Sequence, residues 1–584
     1  MAQAIAARSI GSLAGIDAKL AALAKLEALA EEIDAELVRR KSNGLLRRAI
    51  KAWRRGDIVR SGQLALDATE ADDTNAKAYH VLAMALERMG HLHKALVTYE
   101  RAFKLDPDDP ELLINLGLTA WNLKLIDGAQ KMFQLYIAAC PDSPLGYNNL
   151  GSVQGDMGKP AIAVETLRSA ICRMPGESIL WNSLATVLAE EGRAEESLVF
   201  YREAIRLDPD FARLYHNLGY AYSHLGRLSE ALEAYDSALD HVVDPAERIE
   251  SLHSRSICMI GMGKLEEGFR EYEIRNHQRF RAYVHHMIKA PLWHGEPLEG
   301  KRILVVGEQG LGDEFMFANT LPDIAEAVGP NGKLQIAIDA RLVDLFQRSF
   351  PNADVGTYDD RTLVDKDGNK SLRFIPFAVE NGEPDFYVPM GSTLPVYRKR
   401  LEDFPHQAFL VADPVRKEAF RRALAAEGPG PYIGICWRSM MMGTKRAKYY
   451  SALDSWGPIL KTPGVRFVSL QYGDSEEELA RARELHGVDI RVMEGLDLTN
   501  DIDGAAALSA AVDLVISAPT AAAATAASVG AEVWFLTAGR TWPQLGTDEF
   551  PWYRKGLVYS PKKFGDWNEL IPSIADRLKE FAAR

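Results

Sequence analysis

Four cysteines in 584 residues, Cys140, Cys172, Cys258 and Cys436, lie far apart and form no CxxC pair. That scarcity argues against a disulfide scaffold and against a cysteine zinc site, and it fits a reducing cytoplasm. Basic residues are also short: 68 Lys and Arg face 81 Asp and Glu, a formal charge of −13. A general binder of nucleic acid or of an anionic membrane would need the opposite balance. Long apolar runs are missing as well. The nearest approach, Ala521 to Val533, is too short and too rich in alanine, because a bilayer helix takes about 20 strongly apolar residues. Only Arg8 is basic before residue 16, and no sustained apolar core follows it, so no secretory leader is expected. The length itself predicts several domains.

What the chain does contain is a period. Pro107, Pro141, Pro175 and Pro209 are spaced by 34 residues, and Pro245 follows after 36. Ala95, Tyr99 and Ala102 precede Pro107; Ser197, Tyr201 and Ala204 precede Pro209; Ala231, Tyr235 and Ala238 precede Pro245. Small residues let paired helices approach, the aromatic fills the gap, and proline ends the second helix. Gly90, Gly158, Gly192, Gly226 and Gly263 mark the turns within pairs. The pattern resembles the tetratricopeptide repeat, with weaker end units near 41–75 and 249–281. A right-handed superhelix with a concave face is expected over 41–285.

Asn115, Asn149 and Asn217 each precede a Leu-Gly pair in their repeats. A row of amides can clamp an extended acceptor peptide through its backbone; the competing role is bridging neighbouring helices. Ahead of the array, residues 1–40 read as an amphipathic helix whose stripe is Ile16, Leu20, Leu23, Leu26, Ala30, Ile33 and Leu37. It is expected to pack on the first repeat; a homodimer is the other reading.

After about residue 290 the period changes. Strand-like runs Ile303–Val306 and Leu334–Ile338 alternate with helical ones, and 365–370 reads as a solvated loop. Tyr432–Cys436, Arg466–Leu470, Leu514–Ser517 and Glu532–Leu536 form a second set. Two successive α/β sets predict two doubly wound domains, over 290–405 and 406–584, with a ligand cleft at the carboxyl ends of their strands.

This half resembles the GT-B glycosyltransferases of the heptosyltransferase-like branch. The resemblance is carried by Gly310-Leu311-Gly312-Asp313 with Leu321-Pro322, Gly434-Ile435-Cys436-Trp437-Arg438, Ser469-Leu470-Gln471-Tyr472-Gly473, Val512 to Ser517 with Thr520, and late Trp542 and Pro551-Trp552-Tyr553. It implies that Asp313 is the general base, beside the flexible Gly310 and Gly312, with Glu308 and Glu314 as nearby substitutes. It also implies a metal-independent enzyme without a resident cofactor. The residues themselves nominate Arg438, Lys445 and Arg446 to neutralise a leaving phosphate. Thr520 opens a helix whose amides suit an anion, and Gln471 is placed to bond a base or ribose. The Asp-Thr and His that the branch often carries are replaced here by the run Ala518 to Ala524, which implies a donor other than a diphosphate-heptose.

Repeats joined to this altered half resemble the FlmG-type flagellin glycosyltransferases of alphaproteobacteria. That likeness implies transfer of a nonulosonic acid of pseudaminic or legionaminic type from its CMP-sugar to Ser or Thr of flagellin, which the repeats would recruit. Two alternatives stay open: a repeat-bearing O-glycosyltransferase using a UDP-sugar, and a non-catalytic flagellar or secretion adaptor.

Overall fold

The computed structural model describes the chain except Met1, Lys366, Asp367, Met441 and Gly443; the side chains of 2–20, 22–23, Ala30, 364–365, 368–370 and 444–445 are also outside the description. The chain forms two compact units, 1–153 with 363–369, and 154–362 with 370–584.

In the first unit, one helix runs from Ala2 to Arg54 and pairs with Ile58–Ala71; Ala76–Arg88 with Leu92–Leu105 and Pro110–Asn122 with Ile126–Ala139 follow. Only the end of the first helix joins the core: Leu46 and Ala49 are buried on Leu64, Ala65 and Ala68, while Leu26, Ile33 and Leu37 face solvent. The expected packing of the stripe on the first repeat is thus corrected for Leu26, Ile33 and Leu37, while the side chains of Ile16, Leu20, Leu23 and Ala30 lie outside the description. Within pairs the small-residue logic holds. A Cβ on Gly117 would stand 2.6 Å from the Phe133 ring.

In the second unit the repeats continue with Pro160–Arg173, Ser178–Glu190 with Ala194–Leu207, Ala212–His224 with Leu228–His241, and Pro245–Gly261 with Leu265–Tyr272. Helices end two residues before Pro107, Pro141, Pro175 and Pro209, as proline demands. Pro245 is different: it opens a helix, capped by Asp244, whose carboxylate accepts from the amides of Ala246 and Glu247. A missing amide costs nothing in a first turn.

After the repeats in the chain come three sheets. The strands are β1 (Val284–His286), β2 (Arg302–Val306), β3 (Lys333–Ile338), β4 (Asp354–Thr357), β5 (Asp359–Asp365), β6 (Gly368–Phe374), β7 (Phe386–Pro389), β8 (Tyr432–Cys436), β9 (Arg466–Ser469), β10 (Leu514–Ser517), β11 (Val533–Leu536) and β12 (Gly556–Tyr559). The orders are β4-β3-β2-β7, β12-β11-β10-β8-β9 and β1-β6-β5. The pairings in the first two sheets are parallel, with Ile303 opposite Leu334 and Phe386, and Ile435 opposite Ile516 and Ser469. Both are buried on two faces, so their strands are continuous apolar runs. The expected loop at 365–370 is corrected: Asp365 ends β5 and Gly368 begins β6, while Lys366 and Asp367 lie outside the described residues.

The last repeat shares the core of the α/β half. Ile260, Leu265, Phe269 and Tyr272 belong to one buried cluster with Ile303, Phe317, Leu545 and Trp552. Among the described residues no helix is long and apolar enough to cross a membrane, and no group of His, Cys, Asp and Glu could hold a metal ion.

Candidate active site

In an open parallel sheet a crevice forms where neighbouring strands lead to opposite faces. In the first sheet that point is β2, flanked by β3 and β7; in the second it is β8, between β9 and β10. The turn after β2 is Gly307 to Gly310, leading to the helix Leu311–Phe317. The turn after β10 leads to the helix Ala521–Ser528, which packs against that first helix. Between them lies a pocket of about 310 Å³. Leu311, Gly312 and Arg341 line one side; Ser439, Arg446, Tyr472, Thr499, Ala521 and Ala522 line the other.

Asp313 sits in the first turn of its helix and accepts a 3.4 Å hydrogen bond from the Gly310 amide. Burial, reinforced by the nearby Glu308 charge, pushes its carboxyl up to about 6 against the opposing pull of that amide. The carboxyl therefore caps the helix and is also poised as a base near neutral pH. Glu308 and Glu314 are committed elsewhere. Glu308 is clamped by the Arg275 guanidinium at 2.8 and 3.2 Å and accepts from the Gly391 amide at 2.6 Å. Glu314, 1% exposed, accepts from the Tyr358 hydroxyl at 2.8 Å and the Asp339 amide at 3.2 Å, and burial lifts it to about 7.

The turn is held from the repeat side. Gln309 has a left-handed backbone, φ 65°, uncommon for a residue with a side chain. Its amide nitrogen donates to the Tyr272 hydroxyl at 2.9 Å. Tyr272 and Arg275 thus fix the strained turn beside Asp313. The repeat pattern marks Tyr272 only as part of the degenerate last unit near 249–281 and does not mark Arg275; the left-handed Gln309 has no composition signature either.

Beside the opposite wall, just outside the pocket lining, Thr520 occupies the N-cap position, with its hydroxyl 3.5 Å from the Cys436 sulfur and no side-chain bond to the helix amides. The first amides of Ala521–Ser528 have no intrahelical partner, the arrangement that receives an anion. Arg446 is exposed at the pocket edge, and the Lys445 side chain is outside the described residues. Two expectations are corrected. The Arg438 guanidinium is bound to the Glu478 carboxylate, including a 2.9 Å contact from Nε, and Nη2 donates to the Asp474 carbonyl at 2.7 Å. Gln471 is 3% exposed. Its carbonyl oxygen accepts from the Trp437 and Arg438 amides at 3.1 Å, and its nitrogen donates to the Arg438 and Tyr472 carbonyls. Gln471 braces the β8 and β9 turns and has no group left for a base or ribose. Arg341 is the cation the sequence reading missed. It pairs with Asp339 at 2.9 Å and reaches across the cleft to the Thr499 carbonyl at 3.1 Å.

Two of the three repeat asparagines bridge helices. Asn115 bonds His80 at 3.0 Å, and Asn217 donates to Asn182 at 2.9 Å, each about one repeat back. Asn149 accepts from Asn148 at 2.9 Å. Its own nitrogen is buried without a hydrogen-bond partner among the described residues.

Repeats and the second sheet also meet. Leu228, Ile257 and Cys258 from the repeats and Pro519, Trp542 and Phe564 from the α/β half enclose an apolar pocket of about 230 Å³. At its edge His224 lies 2.7 Å from the Tyr449 hydroxyl and 2.9 Å from the Tyr220 carbonyl, and burial lowers the imidazole to about 4.

These features define a tetratricopeptide repeat protein whose array ends in paired parallel α/β sheets. A family model described as TPR repeat matches 186–226, and models described as Tetratricopeptide repeat match 76–119 and 212–242. The whole chain belongs to the family of Protein FlbA of Caulobacter vibrioides, which is 37% identical over 540 residues, 92% of this chain and 90% of FlbA. Among solved structures, a tetratricopeptide repeat protein from Parabacteroides merdae aligns with 40% of this chain and 91% of its own, at 15% identity and TM-score 0.36. A thermophilic TPR protein of Thermus thermophilus aligns with 31% and 98%, at 25% identity and TM-score 0.28.

Proposed function

We propose that this protein is a GT-B, metal-independent O-glycosyltransferase that acts on a protein held by its repeats. The observation that carries the reading is the pocket between the two strand-switch turns. Gly312 lines one wall, and the next residue, Asp313, stands just outside the lining with its carboxyl raised to about 6; the other wall carries Ala521 and Ala522, in the open first turn of the helix behind Thr520. Asp313 takes the proton of a Ser or Thr hydroxyl as its oxygen attacks the anomeric carbon, the bond from that carbon to phosphate oxygen breaks, and the phosphate leaves toward the amides of that turn and Arg446.

The resemblance to flagellin glycosyltransferases supplies the finer terms: a CMP-nonulosonic acid as donor, flagellin as acceptor and partner, and the cytoplasm as the place. The test is intact mass of flagellin incubated with the protein and CMP-activated pseudaminic or legionaminic acid. Mass steps of one sugar are expected, reduced at least a hundredfold in rate by Asp313→Asn. A UDP-sugar that transfers where CMP-sugars do not would replace the donor. Internal use of Arg438 and Gln471 favours one other reading, a non-catalytic adaptor. Unmodified flagellin that remains bound, with every donor tried, would establish it.

A further inference from the structure

We infer that the first helix joins two copies of this chain through an antiparallel coiled coil centred near Leu26. The described part of its stripe is bare: Leu26 is 64% exposed, Ile33 53% and Leu37 57%, whereas Leu46 and Ala49, on the same helix, are buried by their own repeat. Solvent-facing leucine and isoleucine at regular spacing mark an uncovered seam, unlike scattered surface apolar residues. From Ile16 to Leu37 the seven apolar positions have a mean spacing of 3.5, the repeat that keeps one seam facing a partner helix as two helices supercoil. At 1.5 Å per residue the seam is about 32 Å long.

The occupant follows from symmetry and charge. Reversed on itself about its midpoint, the stripe returns the same register: Ile16 falls opposite Leu37, Leu20 opposite Ile33, Leu23 opposite Ala30, and Leu26 beside its own copy. Charge divides at the same point. Residues 1–25 carry Arg8, Lys19 and Lys25 against Asp17, while residues 26–37 carry Glu27, Glu31, Glu32, Asp34 and Glu36 and no base. A parallel pair would set five carboxylates against five. The antiparallel pair sets the basic half against the acidic half, with Lys19 at the level of Asp34 of the second copy, and like-charge repulsion selects against the other orientation. The residues between, Ala18, Ala21, Ala22, Ala24 and Ala28, let the helices approach closely. The interface is isologous and closes as a dimer.

Sedimentation equilibrium of the full chain at micromolar concentration is expected to return twice the 64.7 kDa chain mass. The double variant Leu26→Glu, Ile33→Glu is expected to return one chain mass with an unchanged melting curve, since both side chains are outside the repeat core. A wild-type monomer, or a variant that stays dimeric, overturns the proposal, the first result leaving the seam to a different protein. Orientation is read by oxidation with Cys140→Ser and Cys172→Ser in the background. Lys19→Cys with Asp34→Cys in one chain is expected to cross-link two chains, and Asp34→Cys alone is not. Efficient cross-linking by Asp34→Cys alone would overturn the antiparallel register.

Discussion

At the scale of residues, the role proposed for Asp313 sets chemistry against stability. Its folded-state carboxyl titrates at about 6, above the 3.8 of a free aspartate. Between those values the folded state holds more protons than the unfolded one, so stability falls as pH rises through that window and the loss is complete above about 6. Asp313→Asn removes the buried charge while keeping the shape. It is therefore expected to raise stability at pH 7 by about 1–3 kcal/mol while abolishing transfer, and to flatten the dependence of melting temperature on pH between 4 and 6. Calorimetry across that range, read beside flagellin mass, checks both halves. Glu314→Gln supplies the contrast. Glu314 is also raised, to about 7, but its oxygens face Tyr358 and Asp339, so transfer is expected to persist. Asp313 was nominated by the family resemblance of the Gly310-Leu311-Gly312-Asp313 turn, which follows an apolar strand. It misassigned Gln471 and Arg438 because residue type and strand-end position do not disclose which neighbours consume a polar group's bonds.

Elements were the most legible level, because each rests on a periodicity that the chain displays openly. Four proline-ended helices, the glycine turns and the strands β2, β3, β8, β9 and β10 fall where the pattern put them. The short β1, β4, β7 and β12 passed unseen, being three or four residues long, and so did the seven-residue β5 and β6, whose junction was read as a loop. One repeat departs from the rule in a way that can be tested. Its turn residue between Pro110–Asn122 and Ile126–Ala139 is Lys124, exposed and at φ 64°, where the neighbouring repeats place glycine at 69 to 83°. A left-handed backbone costs a residue with a Cβ roughly 1–2 kcal/mol, and glycine gives part of that back as unfolded-chain entropy. Lys124→Gly is expected to stabilise the protein by about 0.5–1 kcal/mol. Urea unfolding should show a higher midpoint at unchanged slope; a lower midpoint would mean that the lysine side chain contributes more than its backbone costs.

For the whole molecule, the sequence suggested a seam near residue 290, where one period gives way to another, yet the physical continuity runs through it. Ile260, Leu265, Phe269 and Tyr272 are each 3% exposed or less, and they are buried with residues of the α/β half. Phe269 meets the Trp552 ring edge-on at 6.1 Å, and Arg275 neutralises Glu308 beneath the glycine turn. A chain begun at 290 would lose the burial of four large side chains, about 1.5–3 kcal/mol each, and would leave Glu308 a buried carboxylate without its cation, a further 3–5 kcal/mol or so. Together these reach the total stability of an ordinary domain, about 5–15 kcal/mol. A chain begun at Pro245 keeps all five groups. The 245–584 fragment is therefore expected to unfold in one cooperative transition with intact near-ultraviolet dichroism, and the 290–584 fragment to lack such a transition. Equal cooperativity in both would show that the last repeat merely leans on the α/β half, and Tyr272 and Arg275 would then lose their role as the support of the turn that carries Asp313.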